Sequence, residues 1–170
     1  MVIKKRLPHI DLKYHYQFVT FRTHDSIDDY IRRVRLTEIK DTKKEYIIDR
    51  YLDTSKKGCY LVGKVREYLF DYLVEQHKKI YELIAFCIMP NHIHLLFRQI
   101  LPLDETMKKL KGATAKRINE IIGRSGKLWE SGYFDRLIRD ERHFNLTYEY
   151  IKNNPIKAGI KGEVFYGIYE

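Results

Sequence analysis

Apolar residues follow three rhythms along the chain, and each change of rhythm marks an element. Tyr14 to Thr23 (YHYQFVTFRT) is rich in aromatic and β-branched types and runs into His24-Asp25-Ser26, which predicts a first strand ending in a turn. From about Ser26 to Lys79 the spacing changes to three and four: Tyr46, Ile47, Ile48, Tyr51 and Leu52, then Val62, Val65, Leu69, Leu73 and Val74. That is the pattern of helices with one buried face, with a break at Lys56-Lys57-Gly58 and an undetermined number of helices before it. Tyr81 to Met89 (YELIAFCIM) is a continuous apolar run, Pro90-Asn91 punctuates it, and His92 to Arg98 (HIHLLFR) resumes it, so a central, buried hairpin is expected. Leu103 to Gly123 is an amphipathic basic helix with Met107, Leu110, Thr114, Ile118, Ile121 and Ile122 on one face. Gly132 to Arg139 (GYFDRLIR) alternates as a strand, and Asp140 is placed to cap a last helix reaching Asn153 or Asn154, where Pro155 is expected to stop it.

The order β, α, β, β, α, β, α predicts an α+β fold. It is the ferredoxin-like or RRM-like split βαβ arrangement, an antiparallel sheet with helices on one face and an added C-terminal helix. A fold of this kind names no activity. The 170 residues suffice for one well-buried core, so one domain over 1–170 is expected. The 14 Tyr and 8 Phe argue against disorder, because such rings need a core or a stacking partner.

Charge narrows the partner. Lys and Arg number 32 against 23 acids, a formal charge of +9, which favours a polyanion, with nucleic acid ahead of a membrane surface. Cys59 and Cys87 are too few for a disulfide framework and form no C-x-x-C pair, which suits a reducing, cytoplasmic setting. After the basic start Met1 to Pro8 comes no apolar stretch of signal-peptide or membrane-span length, so no membrane partner is expected.

Two small constellations carry candidate chemistry. His92 and His94 are two apart on a predicted strand, so both imidazoles project to one face while Ile93 points into the core, as metal ligands require. Tyr150 and Asn154 are four apart near the end of the last helix and share a face. A phenol oxygen can attack phosphorus, and an amide carbonyl is a hard oxygen suited to a divalent cation. Tyr148 is the nearest decoy. Asp135 and Asp140 need no metal role, since Asp140 serves as a cap and Asp135 could pair with a neighbouring Arg.

Met89-Pro90-Asn91-His92-Ile93-His94-Leu95-Leu96 resembles the His-hydrophobic-His motif of the IS200/IS605-like single-tyrosine (HUH, Y1) transposases. Within them the chain looks most like the REP-associated tyrosine transposase branch. Leu110-Lys111-Gly112 with Thr114 to Asn119, Leu128-Trp129-Glu130, Tyr133 to Asp140, Tyr150-Ile151, Asn154-Pro155 and Lys157-Ala158-Gly159 fall in that family's order. The match covers most of 14–23 and 81–160, whereas 26–79 matches only as generic helix.

The resemblance implies a metal-dependent endonuclease and strand transferase that nicks single-stranded DNA beside a hairpin, forms a 5′-phosphotyrosine, frees a 3′-OH and can rejoin strands. Tyr150 would be the nucleophile on the added C-terminal helix. His92 and His94, with Asn154 where many insertion-sequence relatives have Gln, would hold Mg²⁺ or Mn²⁺. Because the covalent intermediate stores the energy of the broken bond, no ATP or other nucleotide cofactor is expected. Arg22, Lys108, Lys109, Lys111, Lys116, Arg117, Arg136 and Arg139 would track phosphates, and Trp129 and Tyr133 would stack on unpaired bases. Insertion-sequence relatives commonly act as homodimers that exchange Tyr helices, while the REP-associated branch can hold the whole site in one chain; both arrangements stay open. The competing reading is a catalytically silent single-stranded nucleic-acid binder on the same fold, and a replication or conjugation initiator is disfavoured by length.

Overall fold

Strands send successive side chains to opposite faces, and both faces of this sheet are apolar, so each needs its own cover. The computed structural model describes residues 15–160 and 164–167; Tyr14 of the predicted first strand and the basic start at Met1 to Pro8 lie outside them. In chain order come β1 (Tyr16–Arg22), a short 3-10 turn (His24–Ser26), α1 (Asp29–Arg35), α2 (Asp41–Thr54), α3 (Gly63–Glu75) and β2 (Tyr81–Ile88). Then follow β3 (His92–Gln99), α4 (Leu103–Ile122), β4 (Phe134–Leu137), α5 (Glu141–Lys157) and β5 (Phe165–Gly167).

The strands pair antiparallel in the order β4-β1-β3-β2-β5. Strand β3 lies between β1 and β2, and β1 lies between β3 and β4, which is the split βαβ arrangement the element order predicted. The short outer strand β5 had no sequence signal strong enough to expect it. The uncounted helical stretch before the break resolves into α1 and α2, which share a small cluster of Ile31, Val34, Ile48 and Leu52. The break itself is enforced at Gly58, with φ +64 and no room for a side chain, since a Cβ there would fall 2.6 Å from the Ser26 backbone nitrogen.

Helices α3 and α4 cover one face, packing Leu69, Leu73, Leu110 and Ile118 on Phe21, Leu83, Leu95 and Phe97. Helix α5 covers the opposite face, with Phe144, Tyr148 and Ile151 on Ala85, Cys87 and Leu96. The added helix is therefore the lid of the second face. Asp140 caps it, its Oδ1 accepting the His143 backbone N–H at 2.8 Å.

Pro155 does not stop this helix, which runs on to Lys157 with the proline inside it. A proline lacks the N–H that would bond back to residue 151 and crowds that carbonyl, but so near the end it interferes with one turn only. The helix closes just beyond, where Ile160 N donates to Pro155 O at 2.9 Å. Among the described residues no helix is long and apolar enough to cross a membrane.

Candidate active site

The register of the two middle strands sets the site. Thr20 stands opposite His94 and Arg22 opposite His92, so all four side chains share the face that α5 covers. Both imidazoles are fully buried, with ring centroids 4.9 Å apart. The Asn91 amide is oriented by its Nδ2, which donates to the Leu52 carbonyl at 3.0 Å, leaving Oδ1 to face His92 Nδ1 at 2.7 Å. An amide oxygen only accepts, so His92 carries its proton on Nδ1 and a lone pair on Nε2. His94 Nδ1 is 2.7 Å from Thr20 Oγ1. Each ring thus has its Nδ1 engaged, and Nε2 of both is buried with no hydrogen-bond partner. Burial, with His94 adding to it, holds His92 well below the ordinary histidine range. Burial likewise pulls His94 down to about 4. Both rings are neutral at pH 7, the form that binds a metal.

Helix α2 brings a third group that the sequence reading missed. Asp49, His92 and His94 offer ligand atoms within 4.8 Å of one another, the His94 Nε2 to Asp49 Oδ2 distance being 3.8 Å. Asp49 Oδ1 accepts from Arg22 Nη2 at 2.9 Å, and Glu45 pairs with the same guanidinium. Burial would push the Asp49 carboxyl up, but His94, Arg22 and His92 outweigh it and hold it below the usual range. Of these, Arg22 keeps its charge at neutral pH. A signal was present: Glu45, Asp49 and Asp53 recur every four residues beside apolar Ile48 and Leu52, an acidic stripe in a basic chain.

Helix α5 supplies the phenol. Tyr150 Oη donates to Asp49 Oδ2 at 3.0 Å, across 101 residues of chain. Its ring stands edge-on to His94 at 5.4 Å and to Phe18 at 6.1 Å. Burial first, then the charge and hydrogen bond of Asp49, raise its pKa far above the free phenol's, so the resting group keeps its proton. Asn154 lies one turn on, as the spacing predicted, and its buried Oδ1 has no partner. Tyr148 packs into the second core instead, its ring against Phe165.

The other expected DNA contacts divide. Arg22 is only 2% exposed and is held by two carboxylates, so it cannot track phosphates; a side chain pointing to the α5 face at this register is buried by α2. Trp129 likewise cannot stack on a base, because it packs on Phe21 at 4.8 Å and donates from Nε1 to Thr114 Oγ1 at 3.0 Å inside the first core. Trp129→Ala should therefore cost about 3–5 kcal/mol in urea unfolding. Lys111 gives its ammonium to the carbonyls of Glu130 and Gly132 at 2.6 and 2.7 Å and lies over the Tyr133 ring, which is half-buried. Lys108, Lys109, Lys116 and Arg117 are exposed on α4, across the sheet from the imidazoles, and Arg117 pairs with Glu120. Arg136 and Arg139 stand near Tyr150's own helix, around His143 and Leu146.

Asp53 carries a cost. One carboxylate oxygen is buried without a partner, and burial followed by the Asp49 charge pushes its pKa up to about 6. The folded state then holds a proton that the unfolded chain has released, so this contribution to stability is present at low pH and lost as pH rises through about 6. Asp53→Asn should stabilise the protein at pH 7 by about 1 kcal/mol, after allowance for partial exposure, and by nothing below pH ~4, as urea unfolding at the two pH values would measure.

The family described as "Transposase IS200 like" matches residues 9–154. A Haemophilus influenzae protein assigned to the REP-associated tyrosine transposases is 28% identical over 135 residues, 63% of this chain and 75% of that one. An uncharacterized protein of the same organism is 33% identical over 95 residues, 42% of this chain and 52% of its own length. Among solved structures, a REP-associated tyrosine transposase bound to a REP hairpin superposes with a TM-score of 0.49 at 15% identity, covering 91% of this chain and 74% of that one. A Deinococcus radiodurans transposase superposes at 0.48 with 21% identity, covering 88% and 97%. Because the family match spans residues 9–154, most of the chain and the whole stretch from the imidazole pair to Asn154, the chain belongs to the IS200-like transposase family.

Proposed function

We propose that this transposase is a divalent-cation-dependent endonuclease and strand transferase for single-stranded DNA beside hairpins, working through a 5′-phosphotyrosine on Tyr150. One observation carries the reading: a phenol from α5 and a neutral imidazole from β3 meet at a single carboxylate oxygen, Asp49 Oδ2. Such a junction of nucleophile, ligand nitrogen and charge is costly to bury without a task.

The residues present fit a cation. Two buried Nε2 atoms without partners, beside an ionised carboxylate, are groups a divalent ion would satisfy. His92, His94 and Asp49 would hold it, and Asn154 offers a further oxygen. Bound there, the ion would act as a Lewis acid on the scissile phosphate. Two nitrogens with one carboxylate suit Mn²⁺ better than Mg²⁺, which prefers oxygen ligands throughout.

The protein's own groups account for the rest. Asn91 and Thr20 hold the two rings, and Arg22 fixes the Asp49 carboxylate so that Oδ2 stays turned to the phenol. As the Tyr150 oxygen bonds to phosphorus, its proton has an acceptor at 3.0 Å in Asp49. The bond from phosphorus to the 3′ oxygen breaks, and that oxygen leaves as a 3′-OH by taking a proton from water. Rejoining is the reverse: a 3′-OH attacks the phosphotyrosine and the phenol recovers its proton.

The test is incubation of the protein with labelled hairpin DNA carrying single-stranded flanks, in Mn²⁺. A protein–DNA adduct that survives denaturation is the expected product. Binding without any adduct across metals and flanks would leave the catalytically silent binder in its place.

A further inference from the structure

Beside Tyr150 lies an open cavity of about 360 Å³ between α2, the β4–β1 edge of the sheet and α5. Its size is at the small end of ligand sites, which run to about 300–1,000 Å³. Phe18, Phe134, Tyr46, Leu146 and Tyr150 line it, together with Glu45 and Asp49 from α2. Tyr46 and Leu146 are 55% and 58% exposed, so their apolar surfaces at the cavity are open to a ligand arriving from solvent.

Two features identify the occupant. His143 lines the same cavity, and its Nδ1 accepts the Arg139 backbone N–H at 3.2 Å. The neutral ring therefore carries its proton on Nε2, a donor for a ring nitrogen or carbonyl oxygen. On the adjoining rim Arg136, Arg139 and Arg142 gather around His143 and Leu146; the one acid among them, Asp140, is occupied as the cap of α5. A partly aromatic slot with the His143 donor, bordered by three guanidiniums and with its α2 carboxylates Glu45 and Asp49 already engaged by Arg22, matches an unpaired base with its flanking phosphates.

We infer that this cavity takes one unpaired nucleobase of the cut strand, the base neighbouring the scissile phosphate, and so sets which nucleotide can stand at the cleavage position. Its location along the DNA rests on the strand-transfer reading; binding of the base does not. The cavity would draw the base out of the strand and hold the adjoining phosphate against the Tyr150 oxygen. Helix α2, which lends both Tyr46 and Asp49 to the cavity, thus joins substrate selection to the acid stripe.

The test uses Tyr150→Phe protein, which cannot cleave, and hairpin DNA with 2-aminopurine moved one position at a time through the single-stranded flank. One position should change emission on binding. An abasic site at that position should weaken wild-type binding about tenfold, the effect of losing one stacked base. Leu146→Trp, at an exposed position that tolerates a larger side chain, fills the slot; it should lose the emission change and suffer no further from the abasic site. The inference is overturned if no flank position responds, if the abasic penalty is the same in wild type and Leu146→Trp, or if sedimentation shows the cavity closed by a second copy of the chain that DNA does not displace. Adduct formation by the wild type is scored separately. An adduct with no responding base removes the base slot and keeps strand transfer, whereas a responding base with no adduct does the opposite.

Discussion

Tyr150→Phe is expected to lose the denaturation-resistant DNA adduct, a drop of at least about 10³-fold, while binding hairpin DNA as the wild type does. The substitution removes one oxygen and keeps the ring that packs edge-on to His94 and Phe18. Its structural effect is loss of the hydrogen bond to the ionised Asp49, worth about 1.5–3 kcal/mol. Stability and DNA affinity therefore separate from chemistry. Tyr148→Phe is the control: that ring lies in the second core, and its substitution should leave the adduct in place. An adduct persisting in Tyr150→Phe would mean that another tyrosine is the nucleophile, and the reading of the site would fail.

The second large effect is expected at Asp49. Asp49→Asn should weaken Mn²⁺ binding by about 10–100-fold in calorimetric titration, the range found even for groups that only support a ligand. The same change should lower stability in urea unfolding by roughly 2 kcal/mol, because it strips a charge from the buried Arg22 guanidinium, which keeps Glu45. His94→Ala separates the two consequences, since it removes a ligand nitrogen without touching the Arg22 pair. Unchanged Mn²⁺ affinity in Asp49→Asn would take the carboxylate out of the ligand set and return the third place to Asn154.

Much of the frame was legible because it depends on local spacing. The hairpin, the α4 helix and the cap at Asp140 follow from periodicity and side-chain chemistry within a few residues. Pro155 misled for the same local reason, since the bias against helix at a proline is real but is outvoted in the last turn of a helix already packed by Phe144, Tyr148 and Ile151. The acid stripe on α2 was visible as a pattern, but its meaning was not, because nothing in the neighbourhood of Asp49 says that a helix from this stretch lies over β1 and β3.

By itself, the amino-acid sequence determined the alternation that turns both imidazoles to one face, the helical spacing that lines up Tyr150 with Asn154, and the excess of positive charge. Only the tertiary structure decided which charges are spent inside: Arg22 meets Asp49 across 27 positions, and Tyr150 meets it across 101. The reason is desolvation. Whether a charged side chain faces water or a countercharge depends on what distant chain covers it, and that cover is set by the packing of whole elements rather than by their own patterns.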